Sequence, residues 1–327
     1  MAETTPTNSQ TIHVGTPKVL KGHTYGINSI YVKDNLIISS SFDSTIRIWD
    51  LNFGKCIRVL EGHTSYVYSV FVKDNLIISS SYDNTIRIWD LESGECLKVL
   101  KCHTWVKSVY VKDNLIISGS SDTTIRIWDL ESGECIKTLK GHTNWIKSVY
   151  ATDNRIISGS DDNTIRIWDI DSGDCLKILK GHTSLVSSVY VKDNLIISGS
   201  WDYTIRVWDL EYGECIRVLR GHTNWIMSVY VIDNLIISGS QDNTIRIWDL
   251  DSGECLKILQ GHTEYISSVY VKDNLIISGS FDTTIRITPI TLYPTEASKF
   301  QSLMDKYYLP RHLEQEIMGL FSPEKSC

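Results

Sequence analysis

A unit of 40 residues, once 39, is repeated seven times along this chain of 327 residues. Each copy opens with Gly-His-Thr or a variant of it and carries Ile-Arg-Ile/Val-Trp-Asp about 27 residues later. Two copies depart from the pattern, with Cys102 in place of the first Gly in the third copy and Thr288-Pro289 in place of Trp-Asp in the seventh. A period of this length constrains the fold strongly, because each unit must pack against the next one. The copies begin at Gly22, Gly62, Cys102, Gly141, Gly181, Gly221 and Gly261.

Each repeat reads as four short strands without helical periodicity. In the fifth copy the strands are expected over residues 186–191, 195–200, 204–208 and 215–219, separated by turns that contain Asp, Asn or Gly. One four-stranded sheet cannot bury both of its faces, whereas seven sheets arranged around an axis bury them against one another. The sequence therefore predicts an all-β, seven-bladed propeller of four-stranded antiparallel blades over residues 16–290.

The seventh copy lacks a fourth strand of its own. The run 16–21 before the first Gly-His matches the fourth-strand run 97–101 of another copy, so the N-terminus is predicted to complete the seventh blade and close the ring. Residues 1–15 are expected to be disordered. Residues 291–327 are expected to form a helical C-terminal tail, with helices over 296–308 and 311–321. Docking on the propeller is expected for the first helix, while docking and partner binding remain open for the second.

On these residues the chain resembles the WD-repeat β-propeller family over residues 16–287. The resemblance implies that His, Ser, Asp and Trp of each repeat form one hydrogen-bonded chain, for example His182, Ser198, Asp202 and Trp208. A Ser, His and Asp set also suggests a hydrolytic triad, but one triad suffices for catalysis. Seven copies favour a structural role, so we predict no enzymatic activity, no catalytic residues and no cofactor. The repeated His residues lie too far apart around a ring to predict a metal site.

The repeated Cys and Arg residues are also interpreted structurally. Six cysteines recur at one place on the fourth strand, where neighbouring copies are too far apart for a disulfide, and they are expected to be small core residues. The Arg that precedes Ile/Val-Trp is expected to pack between blades or form ion pairs. The cysteines are Cys56, Cys96, Cys135, Cys175, Cys215 and Cys255.

Two positions in each repeat vary while the strands stay nearly the same. One precedes the turn Asp, and the other is the pair that follows Gly-His-Thr. Both flank the loops that the resemblance places around the mouth of the central channel, on the face that WD-repeat proteins most often use to hold a peptide. For any single ring at these positions, packing onto a blade edge is the alternative interpretation. The predicted peptide-binding residues are Phe42, Tyr66, Tyr82, Trp105, Trp145, Asp161, Trp201, Trp225, Glu264, Tyr265 and Phe281.

Aromatic faces with carboxylates suit a cationic side chain rather than a phosphopeptide, which requires an Arg cluster. Lys107 and Lys147 lie nearby in the sequence, with a direction that the pattern leaves open. We therefore expect a scaffold or adaptor that binds peptides with basic side chains within a multiprotein complex. The alternatives are a substrate receptor of a ubiquitin-ligase or other regulatory complex, a reader of basic or methyl-lysine peptides, and an enzyme built on a propeller.

Composition narrows the class of partner and the expected location. The net charge of −7, with acids and bases interspersed, disfavours a nucleic-acid partner. No apolar run is long enough for a membrane helix, and the polar start of the chain does not resemble a signal peptide. We expect no membrane partner and a cytoplasmic location, with the nucleus as the open alternative.

Overall fold

A computed structural model describes residues 11–101 and 104–293 of the chain. Residues 14–290 form one compact unit, and residues 11–13 and 291–293 belong to a second. In these ranges every regular element is a β-strand. Six blades have four antiparallel strands that follow one another in chain order from the inside outward, and the seventh has three such strands followed by strands from the N-terminus. This arrangement confirms the predicted seven-bladed propeller.

The strands of the seven blades have nearly equal lengths. The first six blades are β3–β6 (Ile27–Lys33, Leu36–Ser41, Ile46–Asp50, Cys56–Leu60), β7–β10 (Val67–Lys73, Leu76–Ser81, Thr85–Asp90, Cys96–Lys101), β11–β14 (Val106–Lys112, Leu115–Ser120, Thr124–Asp129, Cys135–Lys140), β15–β18 (Ile146–Ala151, Arg155–Ser160, Ile165–Asp169, Cys175–Leu179), β19–β22 (Val186–Lys192, Leu195–Ser200, Thr204–Asp209, Cys215–Arg220) and β23–β26 (Ile226–Ile232, Leu235–Ser240, Ile245–Asp249, Cys255–Leu259). The seventh contains β27 (Ile266–Lys272), β28 (Leu275–Ser280), β29 (Thr284–Tyr293) and, from the N-terminus, β1 (Thr11–Val14) and β2 (Lys18–Lys21).

The hydrophobic core lies between adjacent blades. Between the fourth and fifth blades, Ile157, Ile165 and Leu179 pack against Val186 and Trp208, all of them buried. Second strands such as Leu195–Ser200 are buried on both faces, because each blade is covered by two neighbours. The same composition repeated at each interface explains why the blades have nearly identical sequences.

The N-terminal strand closes the ring as predicted. β2 pairs antiparallel with β29, with Lys18 opposite Ile287 and Leu20 opposite Ile285. Leu20 is buried in the cluster between the seventh and first blades, which also contains Ile27 and Trp49. The last strand of the ring therefore comes from the start of the chain, so closure depends on a pairing between the two most distant parts of the propeller sequence.

Two expectations need correction. Residues 1–15 are expected to be disordered, but β1 lies within this segment and pairs with β29. This pairing is possible because β29 is longer than the third strands of the other blades and continues past the residues that pair with β2. The repeated cysteines, expected in the core, are exposed, because they start the outermost strand, which no further strand covers. Cys102 and the predicted tail helices lie outside the described residues.

Within residues 11–101 and 104–293, no helix has the length and apolar character needed to cross a membrane.

Replacing Leu20 with Ala tests the clasp, because it removes a buried side chain from the closing interface. We expect the free energy of unfolding to fall by about 2–4 kcal/mol, measured by urea unfolding followed by tryptophan fluorescence. The matched control is Val19→Ala in the same strand, because Val19 is 39% exposed, and its effect should stay below about 1 kcal/mol. Equal effects of the two substitutions would contradict a clasp that depends on Leu20.

Candidate functional site

The His, Ser, Asp and Trp residues of each complete repeat form a hydrogen-bonded chain inside the blade. In the fifth blade, Trp208 Nε1 donates to Ser198 Oγ at 2.9 Å, and the distance from Ser198 Oγ to His182 Nε2 is 2.7 Å. His182 Nδ1 lies 2.7 Å from Asp202 Oδ2. Asp202 also accepts from the backbone N–H of Thr183 at 3.0 Å. Ser198 is fully buried, so its hydroxyl contributes to the core of the blade, as the structural interpretation predicts.

The donors in this chain fix the protonation of the imidazole. Because the indole N–H donates to Ser198, the hydroxyl donates to His182 Nε2, which leaves Nδ1–H to donate to Asp202. Burial lowers the pKa of His182 and outweighs the nearby carboxylate. Burial alone would raise the pKa of Asp202, but hydrogen bonds from His182, from the hydroxyl of Thr204 and from the backbone of Thr183 hold it well below its usual range. The pair is therefore a neutral imidazole that donates to a carboxylate.

The repeated Arg packs along the Trp of its own strand, and that Trp lies between two blades. Arg206 Cζ lies 5.8 Å from the ring centroid of Trp208, within reach of a cation–π contact. The third blade differs, because Arg126 Nη2 donates to Asp122 Oδ2 at 2.8 Å. The expected ion pairing is therefore found for Arg126, in the blade whose leading Gly is replaced by Cys102.

A hydrogen bond joins the two variable positions of every blade. The residue before the turn Asp donates its backbone N–H to a carbonyl in the loop after Gly-His-Thr, at 2.8–3.0 Å. This bond fixes both backbones whatever side chains they carry, so the variable side chains project from a constant frame. The pairs are Phe42 with Gly26, Tyr82 with Tyr66, Ser121 with Trp105, Asp161 with Trp145, Trp201 with Leu185, Gln241 with Trp225 and Phe281 with Tyr265.

The side chains at these positions form an aromatic arc around the mouth, the end of the channel at which the inner strands begin. Phe42 contacts Tyr66 of the next blade, with ring centroids 4.5 Å apart. Trp201 and Trp225 stack face to face at 3.5 Å. Every arc residue is half-buried or exposed, so packing and exposure coexist in this set. The arc comprises Tyr25, Phe42, Tyr66, Tyr68, Tyr82, Trp105, Trp145, Trp201, Trp225, Tyr265 and Phe281.

Gly26 is the one glycine among the variable positions of the arc, and packing explains it. A Cβ at this position would lie 2.1 Å from Cδ2 of Phe281. Phe281 therefore crosses from the seventh blade onto the first, where Tyr25 meets its ring edge-on at 5.5 Å. The aromatic arc thus continues across the closure of the ring.

Two lysines lie against the arc, and the sequence pattern does not predict this direction of their side chains. Lys107 Nζ lies 3.8 Å from the ring centroid of Tyr68 and 4.0 Å from that of Tyr82, and it donates to the Tyr82 hydroxyl at 2.5 Å. Lys147 Nζ lies 5.2 Å from the ring of Trp145. The protein's own amino groups therefore occupy aromatic faces at which the sequence predicts a cation of the ligand.

The two predicted acidic residues have different surroundings. Asp161 Oδ2 lies 3.4 Å from Lys147 Nζ, and its side chain is only 15% exposed. Burial raises the pKa of Asp161, and the charge of Lys147 opposes this shift. Glu264 is exposed, and within the described part of the chain it has no ion-pair partner. Glu264 adjoins Tyr265, which stacks on Phe281 with centroids 4.5 Å apart. The uncompensated carboxylate of the arc is therefore Glu264.

Below the arc, the fifth residue of each inner strand forms a second aromatic ring that sequence analysis missed. Neighbouring centroids lie 4.5–5.3 Å apart around the complete circle. We call this ring the collar. It narrows the channel, and burial raises the pKa of Tyr190 within it to about 12. The repeated aromatic residue in Val-Tyr-Val on the innermost strand is the signal that could have revealed it. The collar comprises Tyr31, Phe71, Tyr110, Tyr150, Tyr190, Tyr230 and Tyr270.

The chain is a seven-bladed propeller with an aromatic arc at one end of its channel. The family model described as WD domain, G-beta repeat, matches seven segments, at residues 15–50, 54–90, 94–129, 133–169, 173–209, 213–249 and 253–288. The matches cover most of the chain, which therefore belongs to the WD40 repeat family. Propellers of this family bind proteins and are generally non-catalytic.

The chain matches two fungal proteins over about one repeat each, which is a small part of their length. The chain is 44% identical over 41 residues to the probable E3 ubiquitin ligase complex SCF subunit sconB of Talaromyces marneffei, which is 12% of this chain and 6% of that protein. It is 42% identical over 40 residues to mitochondrial division protein 1 of Mycosarcoma maydis, 12% of this chain and 5% of that protein. Among solved structures, the computationally designed protein Ika8 has a TM-score of 0.69 at 29% identity, over 83% of this chain and 98% of that one.

Replacing Ser198 with Ala tests the hydrogen-bonded chain, because it leaves both the indole N–H of Trp208 and the imidazole of His182 without the hydroxyl. The matched control is Ser278→Ala, since the seventh blade has Thr288 where the others have Trp, and that change leaves only His262 without its partner. We expect Ser198→Ala to lower the free energy of unfolding by about 1–2 kcal/mol more than Ser278→Ala. Equal losses in urea unfolding would show that the indole bond contributes nothing.

Lys107 predicts a pH-dependent stability. Burial lowers its pKa to about 6, and the charge of Lys147 adds to this while Asp161 opposes it. Between pH 6 and 9 the unfolded chain therefore binds a proton at Lys107 that the folded chain does not, so stability rises with pH. Relative to Lys107→Met, the unfolding free energy of the parent should increase by up to about 1.4 kcal/mol per pH unit. Urea unfolding at several pH values measures this difference, and a pH-independent difference would show that Lys107 stays charged.

Proposed function

We propose that this chain is a non-catalytic adaptor that binds an extended peptide of a partner protein across the aromatic arc. The observation that carries the proposal is a set of partly exposed aromatic side chains on backbones that hydrogen bonds hold fixed. The rings are in contact from Tyr265 round to Trp145, and Trp201 and Trp225 form a separate stacked pair. Aromatic residues dominate binding hot spots, because they bury a large area with few rotatable bonds. A site held in place before binding also loses little entropy when a partner docks.

Exposure supports a site that is ready for contact. Trp105 is 40% exposed and Tyr66 is 42% exposed, although both rings already contact neighbouring aromatics. Such rings offer one face to the protein and the other to a ligand. The collar below them narrows the channel, which favours a peptide that lies across the mouth over one that threads through it.

The charge distribution favours a basic side chain at one sector of the arc. Around Lys107 and Lys147, the aromatic faces already contact amino groups of the protein. At the seventh blade, the exposed carboxylate of Glu264 adjoins the stacked rings of Tyr265 and Phe281. Among the described residues, no amino group contacts these rings or pairs with this carboxylate. A Lys or Arg side chain of the partner would meet both a carboxylate and aromatic faces at this sector. A methylated lysine is also a cation that binds aromatic faces, so it would fit the same sector. The cytoplasmic location stays a prediction.

A second candidate is a substrate receptor of a ubiquitin-ligase complex. Its support is the one-repeat similarity to proteins described as SCF subunits, which spans a small part of those proteins. Copurification of ubiquitin-ligase subunits with the full chain, unchanged by substitutions in the arc, would favour this candidate as an addition to peptide binding.

Peptide selection from a random display library tests the adaptor proposal directly. We expect enrichment of peptides with Lys or Arg next to apolar residues. For a selected peptide, Trp225→Ala should weaken binding by about 30-fold, the effect of losing one aromatic hot spot. Glu264→Gln should weaken it more for Arg or Lys peptides than for their Gln-substituted versions. Fluorescence polarisation of labelled peptides measures each dissociation constant.

The matched control is Tyr212→Ala, because Tyr212 is 74% exposed but lies in the turn before β22, away from the arc. Its dissociation constant should equal that of the parent. Selection of acidic or phosphorylated peptides, or an equal loss in the Tyr212 variant, would contradict the proposed site.

A further inference from the structure

The seventh blade carries a cavity at the place where the other six blades hold an indole ring. Thr288 pairs with Ile276 in the register in which Trp248 pairs with Ile236 in the sixth blade. In each of those six blades the Trp ring packs against the preceding blade, as Trp248 does against Ile205 and Leu219. The shorter Thr288 leaves a cavity of about 200 Å³ between the sixth and seventh blades.

The apolar wall of this cavity corresponds to residues that contact indole elsewhere in the ring, while Asn243, Lys257 and Gln260 line its polar side. Ile245, Leu259 and Ile266 line its apolar side, and they correspond to the apolar residues around Trp248. Ile258, which is 45% exposed, lies at its edge, so the cavity reaches the outer surface. Pro17, from the segment before the closing strand, also lines it. An apolar cavity of about 150 Å³ is large enough to bind benzene.

Two polar groups in the cavity lack the ring that their counterparts contact. Ser238 Oγ accepts from Trp248 Nε1 at 2.8 Å, whereas the fully buried Ser278 hydroxyl hydrogen-bonds to His262 Nε2 at 2.9 Å and has no indole beside it. Arg246 Cζ lies 5.9 Å from the centroid of Trp248, while Arg286 lines the cavity. The cavity therefore presents an acceptor for an N–H and a cation for an aromatic face.

We propose that this cavity is a binding site for an indole group, supplied by a free indole or by a tryptophan side chain. The ligand N–H donates to Ser278 Oγ, the ring packs on Ile245 and Ile266, and the guanidinium of Arg286 lies over its face. The six indoles of the other blades are the template for this arrangement. The site lies between blades on the outer side of the ring, so it is independent of the peptide site on the aromatic arc.

Isothermal titration calorimetry of the full chain with indole tests the proposal. We expect one site with a dissociation constant on the order of 0.1 mM. Benzothiophene has the same shape without the N–H, and it should bind at least about fivefold more weakly. Ser278→Ala should remove this preference. N-acetyltryptophanamide distinguishes the sources, because a cavity open only to free indole will not accept the blocked amino acid.

Thr288→Trp fills the cavity with the protein's own indole, so it should abolish binding and raise the melting temperature. If this variant does not fold, Thr288→Phe gives the same test with a smaller ring. The matched gain-of-function variant is Trp248→Thr, which should create a second site in the sixth blade and raise the stoichiometry from one to two. Absence of binding to the parent at 5 mM indole, or binding that persists in a folded variant with Thr288 replaced by Trp or Phe, would overturn the proposal.

Discussion

The indole of each repeat connects the two kinds of interaction on which the propeller depends. Its ring fills the space between two blades, as Trp208 does among Ile157, Ile165 and Val186. Its N–H also begins the hydrogen-bonded chain through Ser198 and His182. One side chain therefore contributes both to the apolar packing between blades and to the hydrogen bonding of buried polar groups within a blade. This coupling explains why the variation among complete repeats occurs at the loops and spares this residue.

The same coupling separates stability from recognition. The carboxylate of the turn Asp accepts from the imidazole and from the loop backbone, as Asp202 does from His182 and Thr183, so the loops at the mouth are held by conserved geometry within each blade. Side chains such as Trp201 and Trp225 can then differ from copy to copy without changing the backbone beneath them. A binding surface can vary on this frame because the frame does not depend on its side chains.

The sequence was sufficient to predict the number of blades, the N-terminal closure and the structural role of the His, Ser and Asp residues, since each follows from the repeat. The directions of Lys107 and Lys147 could not be predicted, because each lies at a bulge in its inner strand. The pairing register shifts between Val106 and Ser108 and between Ile146 and Ser148, so the simple alternation of a strand fails at these residues. The exposure of Cys215 was mispredicted because a hydrophobic residue on the outermost strand has no further strand to cover it. The peptide-binding role of the arc stays a prediction.

The position of the irregular seventh blade explains why the ring tolerates it. Each Trp serves the interface with the preceding blade, so Thr288 weakens the contact between the sixth and seventh blades. The closing contact between the seventh and first blades retains Trp49, together with Leu20 from the N-terminal strand. The interface that lacks an indole lies between the sixth and seventh blades, which the chain connects directly. The interface between the seventh and first blades keeps its indole, and there only strand pairing and packing prevent the ring from opening. Loss of Trp49 would remove the indole from the closing interface itself, so the two positions are not equivalent although they occupy the same place in the repeat.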